Sequence, residues 1–442
     1  MRAPTQSSAE LHAAHVLTPW VAQAGRTPPV IVRGEGSYLY DDTGKRYLDF
    51  SAGLVAVNLG HGHPALAAAI ADQATRLAYA APSFANDRRA ELARAIVEIA
   101  PWDGRGRVFF TTGGGEANED AIKLARTITG RPKVLTAYRS FHGSAPGAGT
   151  LTGENRRWPN EPGLPGVVRF FAPFPYRSPF HTRDPREETD RAIAHLEDIV
   201  TYEGGDRIAA LLIEPVVGTN GVIVYPDGYL ARLREFCDRY RILLIFDEVM
   251  TGFGRTGDAF AAQRFGVTPD VFTFAKGVTS AYVPLGGVAM REELAAYFDT
   301  RALPSGHTFS GHPLAMAAGV ATLQAYRDER LFERAREMEG WLRERFDALQ
   351  RRHAIAGEAR GVGAFFGLEL VADRQTRAPL VPWQGAGSLA GFFNDLLDHG
   401  VYVYGRYNVA IVSPPLNVSP GELDEGFAAL DAALAHLAGN VA

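Results

Sequence analysis

The chain has 442 residues, 46% of them hydrophobic, with 45 basic and 50 acidic side chains and a formal net charge of −5. Its single cysteine, Cys237, excludes an intramolecular disulfide framework and any centre built from several cysteines, and favours a reducing, cytoplasmic compartment. The interspersed charges leave no basic footprint for nucleic acid, no apolar run reaches the roughly 18 residues that span a bilayer, and the N-terminus shows no secretory pattern, so none is expected.

In chain order, residues 11–21 predict an amphipathic helix. A β-rich stretch follows over 30–50, broken by the turn Asp41-Asp42-Thr43-Gly44. Short β-branched and aromatic runs at 108–110, 134–138, 208–213, 242–246 and 271–274 read as buried strands. Helical patterns at 117–128, 192–200 and 229–240 lie between them. Such alternation predicts parallel pairing through right-handed crossovers, with helices on both faces of a sheet. Residues 153–186 are rich in Pro, Arg and aromatics and show neither period, so they are expected to form a packed covering loop. A charged helix is predicted over 331–351, then strands at 364–370 and 402–412. Ser419, Pro420 and Glu422 mark the start of a last helix, whose apolar stripe is Leu423, Phe427, Leu430, Leu434 and Leu437. The expected organisation is an N-terminal segment (1–60), a large α/β domain (61–325) and a C-terminal segment (326–442), the two ends forming one smaller α+β domain.

Three motifs carry chemistry. Thr111-Thr112-Gly113-Gly114-Gly115-Glu116-Ala117-Asn118 follows a strand and opens a helix. Its glycines let the backbone approach an anion, and a helix N-terminus offers unpaired N–H groups and a positive dipole end. It is neither a P-loop nor the dinucleotide fingerprint, because Asn118 stands where that fingerprint needs its last glycine. Read blandly, it is a tight turn. In the second motif, Leu243-Leu244-Ile245-Phe246 runs into Asp247 and Glu248, which places Asp247 at a strand's C-terminal end, where open α/β sheets bind ligands. The bland alternative is a helix cap; no nearby histidine supports a metal. Third, Lys276 ends the strand-like run Val271-Phe272-Thr273-Phe274 and precedes Gly277. A desolvated lysine loses basicity and becomes an amine nucleophile toward carbonyls; a snorkelling structural lysine is the alternative. Taken together, an amine for an aldehyde, a carboxylate for a pyridinium nitrogen and a cradle for a phosphate describe pyridoxal phosphate.

The sequence also resembles the class-III aminotransferases over nearly its whole length. The matching motifs are Asp41-x-x-Gly44 with Tyr47-x-Asp49, Gly60-His61-Gly62-His63-Pro64, Gly114-Gly115-Glu116-Ala117-Asn118, Phe141-His142-Gly143, Ile213-Glu214-Pro215, Asp247-Glu248-Val249-x-Thr251-Gly252-Phe253-Gly254-Arg255, Lys276-Gly277 and His307-Thr308-Phe309-x-Gly311-His312-Pro313. The resemblance implies a fold-type-I pyridoxal-phosphate transferase of class α/β, with a mainly parallel sheet between helices. It implies that Lys276 holds the cofactor aldehyde as a Schiff base and then moves the substrate proton, and that Asp247 binds the pyridine nitrogen. Phe141 and Val249 would take the two ring faces, Gly114 and Gly115 the phosphate, and Glu214 the hydroxyl side, with His142 beside the ring. Thr308 would reach the phosphate of a neighbouring subunit, so the implied partner is a second copy in a homodimer or larger assembly.

Two departures from the family pattern stand out, one in the phosphate cradle, where backbone amides must supply more of the contacts, and one in the substrate pocket. The cradle is Gly113-Gly114-Gly115 where many members have Ser-Gly-Ser, and Val55 follows Ala52-Gly53-Leu54 where amine–pyruvate members often carry Trp. Val55 is expected in the pocket wall. Arg406 is the first candidate for the keto-acid carboxylate, because a guanidinium binds carboxylates bidentately and can swing aside; Arg255 and the arginines of 153–186 follow it. The expected activity is transfer of an amino group from an amine or ω-amino acid to a 2-oxo acid such as pyruvate. A cofactor-dependent aminomutase or decarboxylase is the alternative, and a non-catalytic cofactor binder the third. The pair His61 and His63 lacks a third ligand, so no metal is expected.

Overall fold

The computed structural model describes residues 6–25, 28–382 and 389–441. Seven strands form the central sheet: β1 (Gly106–Thr111), β2 (Lys133–Ala137), β3 (Val167–Phe170), β4 (Ile208–Ile213), β5 (Leu243–Asp247), β6 (Val271–Phe274) and β7 (Gly286–Arg291). Their spatial order is β1-β7-β6-β5-β4-β2-β3. The run from β3 to β6 is parallel throughout, whereas β7 is antiparallel to both β6 and β1.

Side-chain alternation explains the continuous apolar runs. Ala210, Leu212, Leu243, Ile245 and Val271 point to one face and pack on Ala117, Ala121 and Leu124 of the helix Gly114–Thr129. Leu211, Ile213, Leu244, Phe246 and Phe272 point to the other face and enter the larger core cluster. A strand covered on both faces must be apolar at every position, because each residue loses its water. Each fully buried leucine or phenylalanine contributes about 1.5–3 kcal/mol relative to exposure.

The sheet holds two strands that local pattern concealed. The span 153–186 is not a featureless loop: it contains β3 at the sheet edge and short 3₁₀ turns at Asn155–Asn160 and Pro175–Arg177. β7 opens with Gly286-Gly287, which reads as loop punctuation. A Cβ on Gly286 would lie 2.6 Å from the carbonyl carbon of Gly113, so the glycine lets this strand lie against the Gly113 turn.

The two ends of the chain meet. Strands Ile31–Glu35, Tyr38–Asp41 and Arg46–Asp49 form an antiparallel sheet, and Val401–Tyr402 adds to it in parallel. A further sheet joins Ala356–Val362, Phe365–Asp373, Val409–Val412 and Tyr404–Arg406. The charged helix spans Leu331–Arg352 and the last one Pro420–Val441. The latter's capping box forms: the Glu422 amide donates to Ser419 Oγ at 3.2 Å, and the Ser419 amide to Glu422 Oε2 at 2.6 Å. The first helix is shorter than expected, Ser8–His15, and buries none of its residues, which leaves no packing to extend it.

Candidate active site

The C-terminal ends of β5 and β6 bring Asp247 and Lys276 together at the edge of the sheet. Asp247 is paired in register with Thr273, and Lys276 begins a one-turn 3₁₀ helix two residues after β6. Lys276 itself sits at φ 50, a left-handed conformation that costs a non-glycine residue energy and aims its side chain out of the strand path. Burial lowers the Lys276 pKa to about 8, against the opposing pull of the Asp247 and Glu214 charges; Arg156 and Arg255 lower it further.

Strand alternation puts Asp247 on the face covered by the helix Gly114–Thr129, and that helix supplies its partner. Asn118 Nδ2 donates to Asp247 Oδ2 at 2.8 Å and also to the His142 carbonyl at 2.8 Å. The Thr273 hydroxyl donates to Asn118 Oδ1 at 2.7 Å, which fixes the amide's orientation. His142 Nδ1 lies 2.7 Å from Asp247 Oδ2, and its Nε2 is buried without a partner. The Val249 amide donates to Asp247 Oδ1 at 3.1 Å. Asn118 and Thr273 were not legible as site residues. The sequence signals for Asn118 were its place one turn into the helix that the glycine cradle opens and its position at the end of the motif Gly114-Gly115-Glu116-Ala117-Asn118.

The cradle is preformed. Glu116 Oε2 accepts from the Thr112 amide at 2.8 Å and the Thr112 hydroxyl at 2.6 Å, holding the turn from its far side. Gly113 precedes the helix, so the first N–H groups after it have no intrahelical acceptor. A Cβ on Gly114 would lie 2.8 Å from Val249 Cγ2 and 2.9 Å from Cγ1. Only glycine allows Val249, from the loop after β5, to come this close. Gly115 is less tight: its Cβ would meet Gly143 Cα at 3.7 Å.

Phe141 and Glu214 adjoin this cluster. The Phe141 amide donates to Glu214 Oε1 at 2.9 Å, and the Gly218 amide to Oε2 at 2.7 Å. Burial raises the Glu214 pKa to about 7, with the nearby Asp247 charge adding to the rise. The Arg156 guanidinium lies 3.8 Å from the Phe141 ring centroid, and Trp20 meets the same ring edge-on at 6.3 Å. Arg156 pairs with Glu154 and donates to the Thr219 hydroxyl at 2.7 Å. Sequence reasoning placed no residue of 153–186 at the site individually; Arg156 is the one the structure brings there.

Arg406 is not free. Its Nη2 lies 2.7 Å from Glu154 Oε2, 2.9 Å from Asn155 Oδ1 and 3.0 Å from the Tyr407 hydroxyl. Burial works to raise the Glu154 carboxyl, but the Arg156 and Arg406 charges hold it below its ordinary range. Val55 does not form an open pocket wall. It is 1% exposed and packs with Val216, Val222, Phe365 and Ile411, while the exposed neighbour is Leu54 at 54%. Positive φ at Ala52, Gly53 and Val55 turns the chain so that Val55 faces inward. Arg255 is structural: fully buried, it donates to the carbonyls of Ala364 and Pro414 and to Asn58 Oδ1, and so ties three segments together. Thr308 lies on an exposed turn, where its carbonyl accepts from the Tyr79 hydroxyl at 3.0 Å. His61 and His63 are each tied to a carboxylate, Asp49 at 2.9 Å and Glu329 at 2.7 Å. Among the described residues no three His, Cys, Asp or Glu side chains converge as metal ligands.

An amine of lowered basicity, a carboxylate held in one orientation and a glycine turn at a helix N-terminus fit an aldehyde, a pyridine nitrogen and a phosphate on one molecule. The tight Gly114–Val249 approach and the unpartnered His142 Nε2 beside Asp247 are the features a flat cofactor in this place would use. The fold and site thus define a pyridoxal-phosphate-dependent transferase.

Comparison with known proteins narrows this class. The family model described as aminotransferase class-III matches residues 21–434. The crystal structure of a taurine:2-oxoglutarate aminotransferase from Bifidobacterium kashiwanohense, in complex with pyridoxal phosphate and glutamate, superposes with a TM-score of 0.95 at 41% identity, covering 98% of each chain. A thermostable (S)-enantioselective omega-transaminase from Thermomicrobium roseum gives a TM-score of 0.92 at 38% identity, over 98% of this chain and 99% of that one. The putrescine–pyruvate aminotransferase of Pseudomonas aeruginosa is 35% identical over 90% of this chain and 88% of its own. The chain belongs to the class-III aminotransferases: it depends on pyridoxal phosphate and transfers amino groups.

Proposed function

We propose that the enzyme takes its nitrogen from an amine or ω-amino acid and delivers it to a 2-oxo acid such as pyruvate. The carrying observation is the placement of Lys276 just past the end of β6, next to the strand that ends in Asp247, a carboxylate gripped by Asn118 and His142. When bound, the cofactor supplies an electron sink that acidifies the substrate carbon. Asp247 would hold the ring nitrogen, Gly114 and Gly115 would bind the phosphate through their amides, and Val249 and Phe141 would cover the ring faces. Glu214, its carboxyl pushed up by burial, would sit on the hydroxyl side. Lys276 would hold the cofactor aldehyde through its amine and would carry the proton that leaves the substrate carbon, a task suited to an amine of lowered basicity.

Arg406 serves the substrate carboxylate by leaving Glu154, and Arg156, paired to the same acid, is the second cation within this group. Donors without an α-carboxylate agree with the named substrates of two relatives, putrescine and taurine. The two ends of the chain act as one smaller domain beside the large one, divided near residues 60 and 325. The working unit is a homodimer, with Thr308, flanked by the 55%-exposed Phe309, reaching the partner's cofactor phosphate. Its buried Cys237 suits a reducing, cytoplasmic setting.

The deciding experiment is a donor panel with pyruvate and 2-oxoglutarate as separate acceptors. Mixing loaded enzyme with a donor alone must release about one equivalent of carbonyl product per site, the signature of a ping-pong half-reaction. Product formation that continues without any acceptor would overturn the proposal.

A further inference from the structure

Lys276 stands at the head of a strained turn. Lys276, Ser280 and Ala281 take φ values of 50, 50 and 61, in the left-handed region that side chains disfavour. None of the three is glycine, and such a conformation persists only where the surroundings over-determine it. Part of the constraint is local. The Lys276 carbonyl accepts from the Thr279 amide at 3.3 Å and from the Ala281 amide at 3.2 Å, and the Thr279 hydroxyl donates to the Val283 carbonyl at 2.7 Å. These bonds close the turn on itself but do not tie it to the rest of the molecule.

Distant segments do that. Tyr326, buried in the helix Pro313–Asp328, donates its hydroxyl to the Gly277 carbonyl at 2.6 Å. That carbonyl also accepts from the Ser280 amide, at 3.2 Å. From the N-terminal segment, the Leu59 amide donates to Ser280 Oγ at 2.9 Å. Asn58 lies so close to Gly277 that a Cβ there would be 2.6 Å from its Nδ2. Asn58 is itself held, donating to the Phe253 carbonyl at 3.0 Å and accepting from Arg255 Nη2 at 2.6 Å. The residue beside the lysine is therefore packed tightly where it lacks a side chain and bonded through its carbonyl. Among the described residues, Tyr326 is the one donor from outside the turn that bonds to it.

We propose that Tyr326 is a positioning residue for Lys276: by holding the Gly277 carbonyl it keeps the strained turn from relaxing, and so fixes where the lysine amine stands relative to Asp247 and the glycine cradle. The inference rests on Lys276 as the reacting amine. An amine that must both hold an aldehyde and carry a proton tolerates little error in position, since a displacement on the order of 1 Å costs about a hundredfold in rate. Without the phenol oxygen, the Gly277 carbonyl keeps only the 3.2 Å bond from Ser280, and the turn can drift toward ordinary φ values. Lys276 moves with it. The effect runs through the backbone of Gly277, so it falls on the placement of the amine and spares donor binding.

The test compares Tyr326→Phe with Tyr47→Phe, which also removes a buried tyrosine hydroxyl bond, the one to Asp41 Oδ2 at 2.9 Å. In a first readout, apoenzyme is mixed with pyridoxal phosphate and its attachment to Lys276 is followed by absorbance. In a second, loaded enzyme is mixed with putrescine or taurine alone, whichever the wild type converts faster, and the half-reaction is followed over a range of donor concentrations. Tyr326→Phe is expected to slow attachment about tenfold and the saturated half-reaction about tenfold to a hundredfold, with the donor concentration for half-saturation within about twofold of wild type. Tyr47→Phe is expected to leave both rates within about twofold, whatever stability it loses. The proposal is overturned if Tyr326→Phe keeps either rate within about twofold of wild type, or if Tyr47→Phe lowers both equally. Should Tyr326→Phe fail to fold, Ser280→Ala, which removes the acceptor of the Leu59 amide, carries the same expectation and the same overturning result. Attachment does not depend on the transaminase reading: a wild type that attaches the cofactor but converts no donor of the panel would sink that reading and leave the first readout to decide.

Discussion

His142 Nδ1 lies 2.7 Å from Asp247 Oδ2, and the same oxygen accepts from Asn118 Nδ2 at 2.8 Å. One carboxylate oxygen is thus gripped from two elements, the helix after the cradle and the loop after β2, while Oδ1 takes the Val249 amide. In the proposed function, the cofactor's ring nitrogen would meet an acid that these bonds hold in one orientation. Replacing His142 by Ala removes a hydrogen bond to a charged group, about 1.5–3 kcal/mol. We expect kcat with any accepted amine to fall about tenfold to a hundredfold, with the fold intact by circular dichroism. An unchanged kcat would mean that Asn118 alone suffices.

Lys276 sets a pH dependence of stability. Its folded pKa of about 8 lies below the ordinary 10.5, so between these values the unfolded chain binds more protons than the folded one. The stability of the cofactor-free enzyme therefore rises across that window, and the full penalty for burying the charged amine applies below it. Denaturant unfolding of the apoenzyme at about pH 7.5 and about pH 9.5 should show the rise, on the order of a kcal/mol or more. Lys276→Met should flatten it. The same variant should lose at least about a hundredfold in turnover.

The two cradle glycines should respond differently to alanine. A Cβ on Gly114 meets Val249 Cγ2 at 2.8 Å, but one on Gly115 meets only Gly143 Cα at 3.7 Å. Gly114→Ala must push Val249 aside, so the dissociation constant for pyridoxal phosphate should rise about tenfold, a cost in the range of a modest overpacking. Gly115→Ala should change it by no more than about twofold. Equal effects would show that the Val249 contact does not shape the site.

In the proposed function, Arg406 exchanges Glu154 for a substrate carboxylate. Arg406→Gln should raise the acceptor KM about tenfold and leave kcat nearly unchanged, the mark of binding lost equally in ground and transition states. Glu154→Gln should instead lower that KM, because it frees the arginine from its resting partner at 2.7 Å. If Arg406→Gln leaves KM unmoved, Arg156 becomes the anchor to test.

The chain's own order determined where the reactive groups stand. Lys276 and Asp247 each end a short apolar run, and a run that is buried on both faces of a sheet must stop where the strand ends, so the positions of both at the C-terminal ends of β6 and β5 were legible. The glycine turn was equally local. What the tertiary structure decided were partnerships across distance. Asp247 finds Asn118 129 residues away and His142 105 away; Arg406 finds Glu154 across 252. Arg255, expected among the substrate arginines, became a buried tie, because its three acceptors converge only after the chain has folded. Val55, expected at the pocket wall, turned inward through positive φ values at Ala52, Gly53 and Val55 that no residue pattern announces. β7 hid behind Gly286-Gly287, since glycine reads as punctuation until the Gly113 turn is seen pressed against it. Periodicity and composition report what a residue does to its neighbours in sequence; hydrogen bonds and ion pairs report which surfaces the folded chain brings within 3 Å, and that information is held by no single segment.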